Sequence, residues 1–174
     1  MSKVKNIDGT PHFPVVSLFS GAMGLDIGLM QAGLNIAVSQ DYDKWCVETI
    51  KKNGHVGVLG DIRELINQDP SCDFLLKAGG LKKDSVFAVV GGPPCQSFST
   101  AGKRLGVEDE RGQLYNQFIH VVDQLRPRFF VMENVKGLAS TLVDPADKQS
   151  LPLLDHILEK FKALGYHTVH GVLD

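Results

Sequence analysis

The sequence predicts an open, doubly wound α/β fold built on a mostly parallel sheet. Three observations predict it. Short apolar runs recur at 14–19, 35–40, 56–60, 86–91 and 128–132. Helical patterns separate several of them. A glycine or an acid follows nearly every run. Apolar strands alternating with helices bury both sheet faces and leave ligand sites beyond the carboxyl ends of the strands.

The elements follow in chain order. "PVVSLF" (14–19) reads as a buried strand ended by "SGAMG". "LDIGLMQAGL" (25–34) has helical apolar spacing and closes on Gly33; "NIAVSQ" (35–40) is the second strand. "DKWCVETIKKNG" (43–54) is a helix stopped at Gly54, since glycine readily takes the left-handed conformation that ends helices. "VGVLG" (56–60) and "VFAVVG" (86–91) are the third and fourth strands. "RGQLYNQFIHVVDQL" (111–125) is amphipathic, with apolar residues at 114, 118, 121, 122 and 125. "RFFVM" (128–132) is the fifth strand. "LPLLDHILEKFKALG" (151–165) is a helix capped by Gly165, and the remaining residues run extended.

Bulk properties narrow the function. A chain of 174 residues holds one proper core. The sequence divides into a polar tail, 1–13, and a domain, 14–174. A net charge of −2 gives no overall signal for nucleic acid or anionic membrane. Three widely spaced cysteines (Cys46, Cys72, Cys95) and six scattered histidines form no disulfide framework and no metal-ligand spacing. No apolar run reaches the ~18 residues of a membrane span, and no signal-peptide core follows the N-terminus. The expected setting is a reducing, cytoplasmic one.

The strand ends hold the chemistry. After the first strand, Gly21 and Gly24 permit a tight turn and a helix whose amides face a ligand. Met23 breaks the full G-x-G-x-x-G pattern, and a plain strand-to-helix turn is the bland alternative. Asp41 lies 17 positions past Gly24, a distance suited to an acid that accepts from two ribose hydroxyls. Tyr42 could lie against a flat adenine; Asp43 suits a helix start. Asp61 is a helix cap by type and could also accept from an adenine amino group. Together these ends predict an adenosine-containing cofactor.

"GGPPCQSFS" follows the fourth strand. Pro93 and Pro94 fix the backbone ahead of Cys95. A buried structural thiol is the usual fate of a lone cysteine, yet a core thiol needs no rigid corner, whereas a pre-positioned nucleophile does. "MENVKGL" follows the fifth strand. Its Glu133 is expected to be partly desolvated, which raises a carboxyl pKa and suits proton donation; bracing a loop is the alternative.

In this order, "PVVSLFSGAMGLDIG", "QDYDKW", "GDI", "GGPPCQSFS", "RGQLY" and "MENVKGL" resemble the motifs of the cytosine-5 DNA methyltransferases. The resemblance covers about 14 to 139, and "GYHTVHGVLD" extends it to the end of the chain. It implies a Rossmann-like S-adenosylmethionine-dependent methyltransferase fold, with S-adenosylhomocysteine as product and no metal. Phe19, Gly21 and Gly24 match the cofactor turn, Asp41 and Tyr42 the ribose acid and its aromatic neighbour, and Asp61 and Ile62 the adenine contacts. Pro93 and Leu114 match cofactor-side positions. Cys95 matches the nucleophile and Glu133 the acid on the cytosine ring nitrogen, with Asn134 beside it in the catalytic motif. The loop 99–113 resembles a closing loop, with Lys103 and Arg104 near DNA phosphate.

The sequence departs from the family pattern by stopping at Asp174. The sheet is therefore expected to be incomplete at its C-terminal strands, with an open edge at the fifth strand. Double-stranded DNA is the expected partner, together with further chain or a second polypeptide supplying the missing motifs. Residues 1–174 alone are expected to bind S-adenosylmethionine weakly and to methylate nothing. Other readings are a truncation, a split-enzyme subunit, an inactive binding protein, an RNA cytosine-5 methyltransferase, and a dinucleotide oxidoreductase. The broken glycine fingerprint and the Pro-Pro-Cys-Gln corner argue against the last.

Overall fold

The computed structural model describes residues 13–94, 114–143, 147 and 149–173. They fall into two compact units. The first comprises Met1–Gly92 and His120–Glu133, the second Pro93–Ile119 and Asn134–Asp174.

The first unit holds the whole sheet. Its strands are β1 (Pro14–Leu18), β2 (Asn35–Asp41), β3 (Gly57–Leu59), β4 (Ala88–Gly91) and β5 (Phe129–Met132). All neighbours pair parallel, in the order β3-β2-β1-β4-β5. This is the doubly wound order, and the strand sequence reverses between β1 and β4. Every residue of β1 and β4 is buried, as their unbroken apolar runs require. The helices here are α1 (Gly24–Gln31), α2 (Lys44–Lys52), α3 (Ile62–Gln68) and α4 (Asp73–Ala78). Leu29 and Met30 of α1 pack on Val15, Ile36, Ala88 and Val90. Across the sheet, Gly79 at the end of α4 approaches Val38 so closely that a Cβ would lie 3.3 Å from its methyl.

The β1–β2 pairing contains one irregularity. Val15 pairs with Ile36, but Val16 pairs with Val38, which leaves Ala37 as an extra residue. Such a bulge shifts the side-chain alternation by one. Ile36 faces α1; beyond the bulge Ser39 does too, since its hydroxyl reaches Asp26 of α1.

The second unit is built around α6 (Leu153–Ala163). Phe161 meets Phe118 edge-on, with ring centroids 6.3 Å apart, and Lys160 Nζ donates to Asn116 Oδ1 at 3.1 Å. A 3-10 turn at Lys136–Ser140 leads to a short antiparallel bridge between Leu142 and Pro152. Helix α5 (Leu114–Leu125) contributes residues to both units.

All five predicted strands are present, within a residue or two at their ends. The four predicted helices are α1, α2, α5 and α6; residues 111–113 of the third lie outside the described residues. Two helices, α3 and α4, are additions to the sequence reading, which places only a cap at Asp61. They are seven and six residues long, too short for periodicity to stand out. Residues 166–173 join no strand, and Val169 and Leu173 are almost fully exposed. The expected open edge is present among the described residues: β5 ends the sheet, and Phe129 is 52% exposed. Among the described residues no helix is long and apolar enough to cross a membrane.

Candidate active site

The carboxyl ends of β1, β2 and β3 converge on one set of turns. After β1 the backbone takes positive φ at Phe19 (54°), Gly21 (53°) and Met23 (71°). Sequence reasoning assigns the turn to Gly21 and Gly24. Gly24 instead begins α1, and the strained positions besides Gly21 are Phe19 and Met23. Non-glycine residues in this region cost of order 1–3 kcal/mol each and persist where the surroundings over-determine them. Here the surroundings do so: Met23 is buried, and its amide donates to the Ser20 carbonyl at 2.9 Å. A Cβ added at Gly21 or Gly24 would meet nothing within 4 Å, so this turn borders open space.

Asp41 ends β2 and is buried. Its two oxygens are each held by the main chain: the Gly21 amide donates to Oδ2 at 2.8 Å and the Asp43 amide to Oδ1 at 2.9 Å. The carboxylate thus ties the first turn to the second strand end with its orientation fixed. A carboxylate has about four acceptor positions, so a diol can still be bound. Tyr42, beside it, is 69% exposed. Asp43 caps α2, accepting from the amides of Trp45 and Cys46, as its residue type predicts.

Asp61 caps α3 by accepting from the Arg63 amide at 2.9 Å. The same carboxylate receives the Arg63 guanidinium, with Nε at 3.0 Å and Nη2 at 2.5 Å. That fork holds its pKa below the usual carboxylate range, with burial opposing and the backbone bond assisting. A depressed pKa contributes stability above the ordinary range, and the contribution is lost as pH falls through the lowered value. Arg63→Gln is therefore expected to lower the melting temperature by about 1–2 °C above pH ~5. The difference should fade as pH falls through the lowered carboxyl pKa, which a pH series of thermal melts on both proteins reads directly. Ile62 is buried beneath this cap.

A buried group that the sequence reading omits underlies the first turn. Asp26 of α1 is fully buried. Ser17 Oγ donates to its Oδ1 at 2.5 Å and Ser39 Oγ to its Oδ2 at 2.7 Å. Ser20 Oγ in turn donates to Ser17 Oγ at 2.9 Å. The carboxylate pins the start of α1 to β1 and β2. An acid at the third position of a helix reads as a dipole partner, so only the serines at 17 and 39 could have signalled more.

The ends of β4 and β5 form the second half of the site. The Glu133 amide donates to the Gly91 carbonyl at 2.9 Å. Its side-chain Oε2 lies 2.9 Å from the place a Cβ on Gly92 would occupy. Gly91 lies against β1, where a Cβ would come within 2.3 Å of the Leu18 carbonyl oxygen. Close approach to backbone thus demands the first glycine of "GGPP", whereas at Gly92 only the end of the Glu133 side chain would have to move. Glu133 is exposed, which corrects the expected desolvation: among the described residues β5 is the sheet edge.

Within the second unit, Asn134 Nδ2 donates to the Pro93 carbonyl at 2.7 Å, and its Oδ1 accepts from the Val135 amide at 2.9 Å. The side chain therefore fixes the proline corner. Leu114 opens α5 and is half-buried. Cys95, Lys103 and Arg104 lie outside the described residues. Of the other thiols, Cys72 is fully buried and burial pushes its pKa up to about 12. Cys46 is raised chiefly by burial, with Asp41 and Asp43 adding to it. Neither is an activated nucleophile.

Residues 13–174 match the family profile of the C-5 cytosine-specific DNA methylases. The chain belongs to this family. It is 38% identical over 161 residues to the type II methyltransferase M.FnuDI of Fusobacterium nucleatum, covering 92% of this chain and 41% of that one. It is 44% identical over 126 residues to the type II methyltransferase M.AquIA of Picosynechococcus, covering 71% and 49%. The C-5 cytosine methylase chain thus spans between two-fifths and half the length of these relatives. A solved mutant of Spodoptera frugiperda DNMT2 shares the fold, with a TM-score of 0.58 at 23% identity over 87% of this chain and 41% of that one.

The three strand ends of the first unit thus offer open space at Gly21 and Gly24, an oriented buried carboxylate at Asp41 and an exposed Tyr42 ring, while the Asp61 carboxylate is taken up by Arg63.

Proposed function

We propose that this chain carries the cofactor cradle and the catalytic residues of a DNA (cytosine-5-)-methyltransferase, completed by further polypeptide. The observation that carries this reading is the Glu133 carboxylate lying against Gly92, a glycine three residues before Cys95 in the sequence. Family membership supplies the substrate class.

Cytosine carbon 5 is a weak nucleophile. When the Cys95 thiolate bonds to carbon 6, the ring's carbon 5–carbon 6 electron pair becomes available at carbon 5. The Glu133 carboxyl holds ring nitrogen 3, so negative charge does not accumulate there. Bound S-adenosylmethionine supplies an electrophilic methyl group. With the methyl on carbon 5 and S-adenosylhomocysteine as the leaving product, water would take the carbon 5 proton as the bond between carbon 6 and the Cys95 sulfur breaks, returning the thiolate. Asn134 acts one step back, holding the Pro93 carbonyl two residues before Cys95 in the sequence. The Phe19–Met23 turn, Asp41, Tyr42, Asp61, Ile62, Pro93 and Leu114 serve the donor. Lys103 and Arg104 meet DNA phosphate. The target base must leave the duplex to reach such a site.

Thermal-shift titration tests the cradle: S-adenosylhomocysteine should stabilise the chain and NAD should not, and the reverse pattern would refute the reading. The covalent step is tested in the complete enzyme with duplex DNA carrying 5-fluorocytosine. Fluorine at carbon 5 blocks proton loss, so mass spectrometry should find the base bonded to Cys95. Turnover without such an adduct would overturn the role of Cys95. Efficient methylation of duplex DNA by residues 1–174 alone would refute the need for further polypeptide.

A further inference from the structure

We propose that Gln40 is a positioning residue for the adenosine side of the cofactor site, clamping two strand-end turns from the interior. The inference rests on the cofactor reading above. Gln40 is 1% exposed, on the penultimate position of β2. Its side-chain Nε2 donates to the Gly60 carbonyl at 2.7 Å. Its own carbonyl accepts from the Ser20 amide at 3.1 Å. Gly60 directly precedes the α3 cap Asp61, and its amide donates to the Asp41 carbonyl at 3.1 Å. One buried residue therefore joins the turn holding Gly21 to the turn holding Asp61.

The amide oxygen marks this as more than packing. Gln40 Oε1 is buried and accepts no hydrogen bond among the described residues. An unpaired buried acceptor costs stability, whereas an apolar isostere in its place costs nothing of the kind. Methionine would fill the same space without the orphan oxygen. In stability, losing the orphan oxygen offsets losing the bond to the Gly60 carbonyl, and the Nε2 donor is what glutamine adds. That donor acts on the carbonyl one residue before the adenine-side acid.

The test separates affinity from stability. Purified wild-type protein and Gln40→Met are titrated with S-adenosylhomocysteine and with 5′-methylthioadenosine, which keeps the adenosine and lacks the amino-acid end. Loss of one neutral hydrogen bond predicts affinities weaker by about five- to tenfold. Both ligands should weaken by the same factor, with the ligand-free melting temperature unchanged or raised. Wild-type affinity in the variant would overturn the inference, as would a melting temperature that falls along with affinity. Gln40→Leu repeats the measurement should methionine overfill the site, and loss of folding in both variants also overturns it. If wild-type protein binds neither ligand, the cofactor reading itself fails.

Discussion

Gly92→Ala in the complete enzyme is expected to lower kcat/KM for cytosine methylation by about 100-fold, the scale set by an ångström of displacement at a reacting group. The new methyl would sit 2.9 Å from Glu133 Oε2. That oxygen ends a flexible side chain, so it moves away and the fold loses little. The melting temperature should stay within about 2 °C of wild type, since surface-accessible changes of this kind are small. S-adenosylhomocysteine affinity should hold as well, because Phe19, Asp41 and Asp61 are untouched. Steady-state kinetics beside a thermal melt reads both halves. Unchanged methylation would remove Glu133 from its assigned place at nitrogen 3.

Gly91→Ala, one residue earlier, is expected to fail in the opposite way. Its methyl would come within 2.3 Å of the Leu18 carbonyl oxygen, which belongs to the backbone of the central strand. No rotamer change relieves that contact, so β1 and β4 must separate. Overpacking of this kind costs about 3 kcal/mol, equivalent to a fall of roughly 10 °C in melting temperature for a domain of this size. Denaturant unfolding of the variant against wild type measures it. Two adjacent glycines thus divide their duties: one admits a strand, the other a carboxylate.

Much of this was legible in the residues. Val15, Val16, Val89 and Val90 announce buried strands because parallel sheets need apolar side chains on both faces. Asp43 and Asp61 announce helix starts because a short acceptor reaches the free amides there. The strand ends followed from alternation alone, and with them Asp41 and Glu133. Three features stayed hidden for physical reasons. Asp26 looks like an ordinary first-turn acid, and only the chain's return through Ser39 gives it a second hydroxyl. Glu133 is exposed because β5 is an edge, and edge status is a property of the assembled sheet. Phe19 and Met23 take a conformation that glycine would adopt more readily, so their side chains gave no hint of the turn. Asn134 could be placed in the motif, but its grip on the Pro93 carbonyl depends on two segments 41 residues apart.

The extra residue at Ala37 has a consequence for how the two halves of β2 are used. Side chains alternate along a strand, so a one-residue insertion reverses their parity from that point onward. Ahead of it, the strand offers Ile36 to the α1 layer; after it, Ser39 takes that side and Gln40 the other. Removing the insertion would exchange the two, stranding the Asp26 carboxylate without its Ser39 donor and turning the glutamine toward α1. A single unremarkable alanine therefore decides which chemistry the strand presents to each side of the sheet.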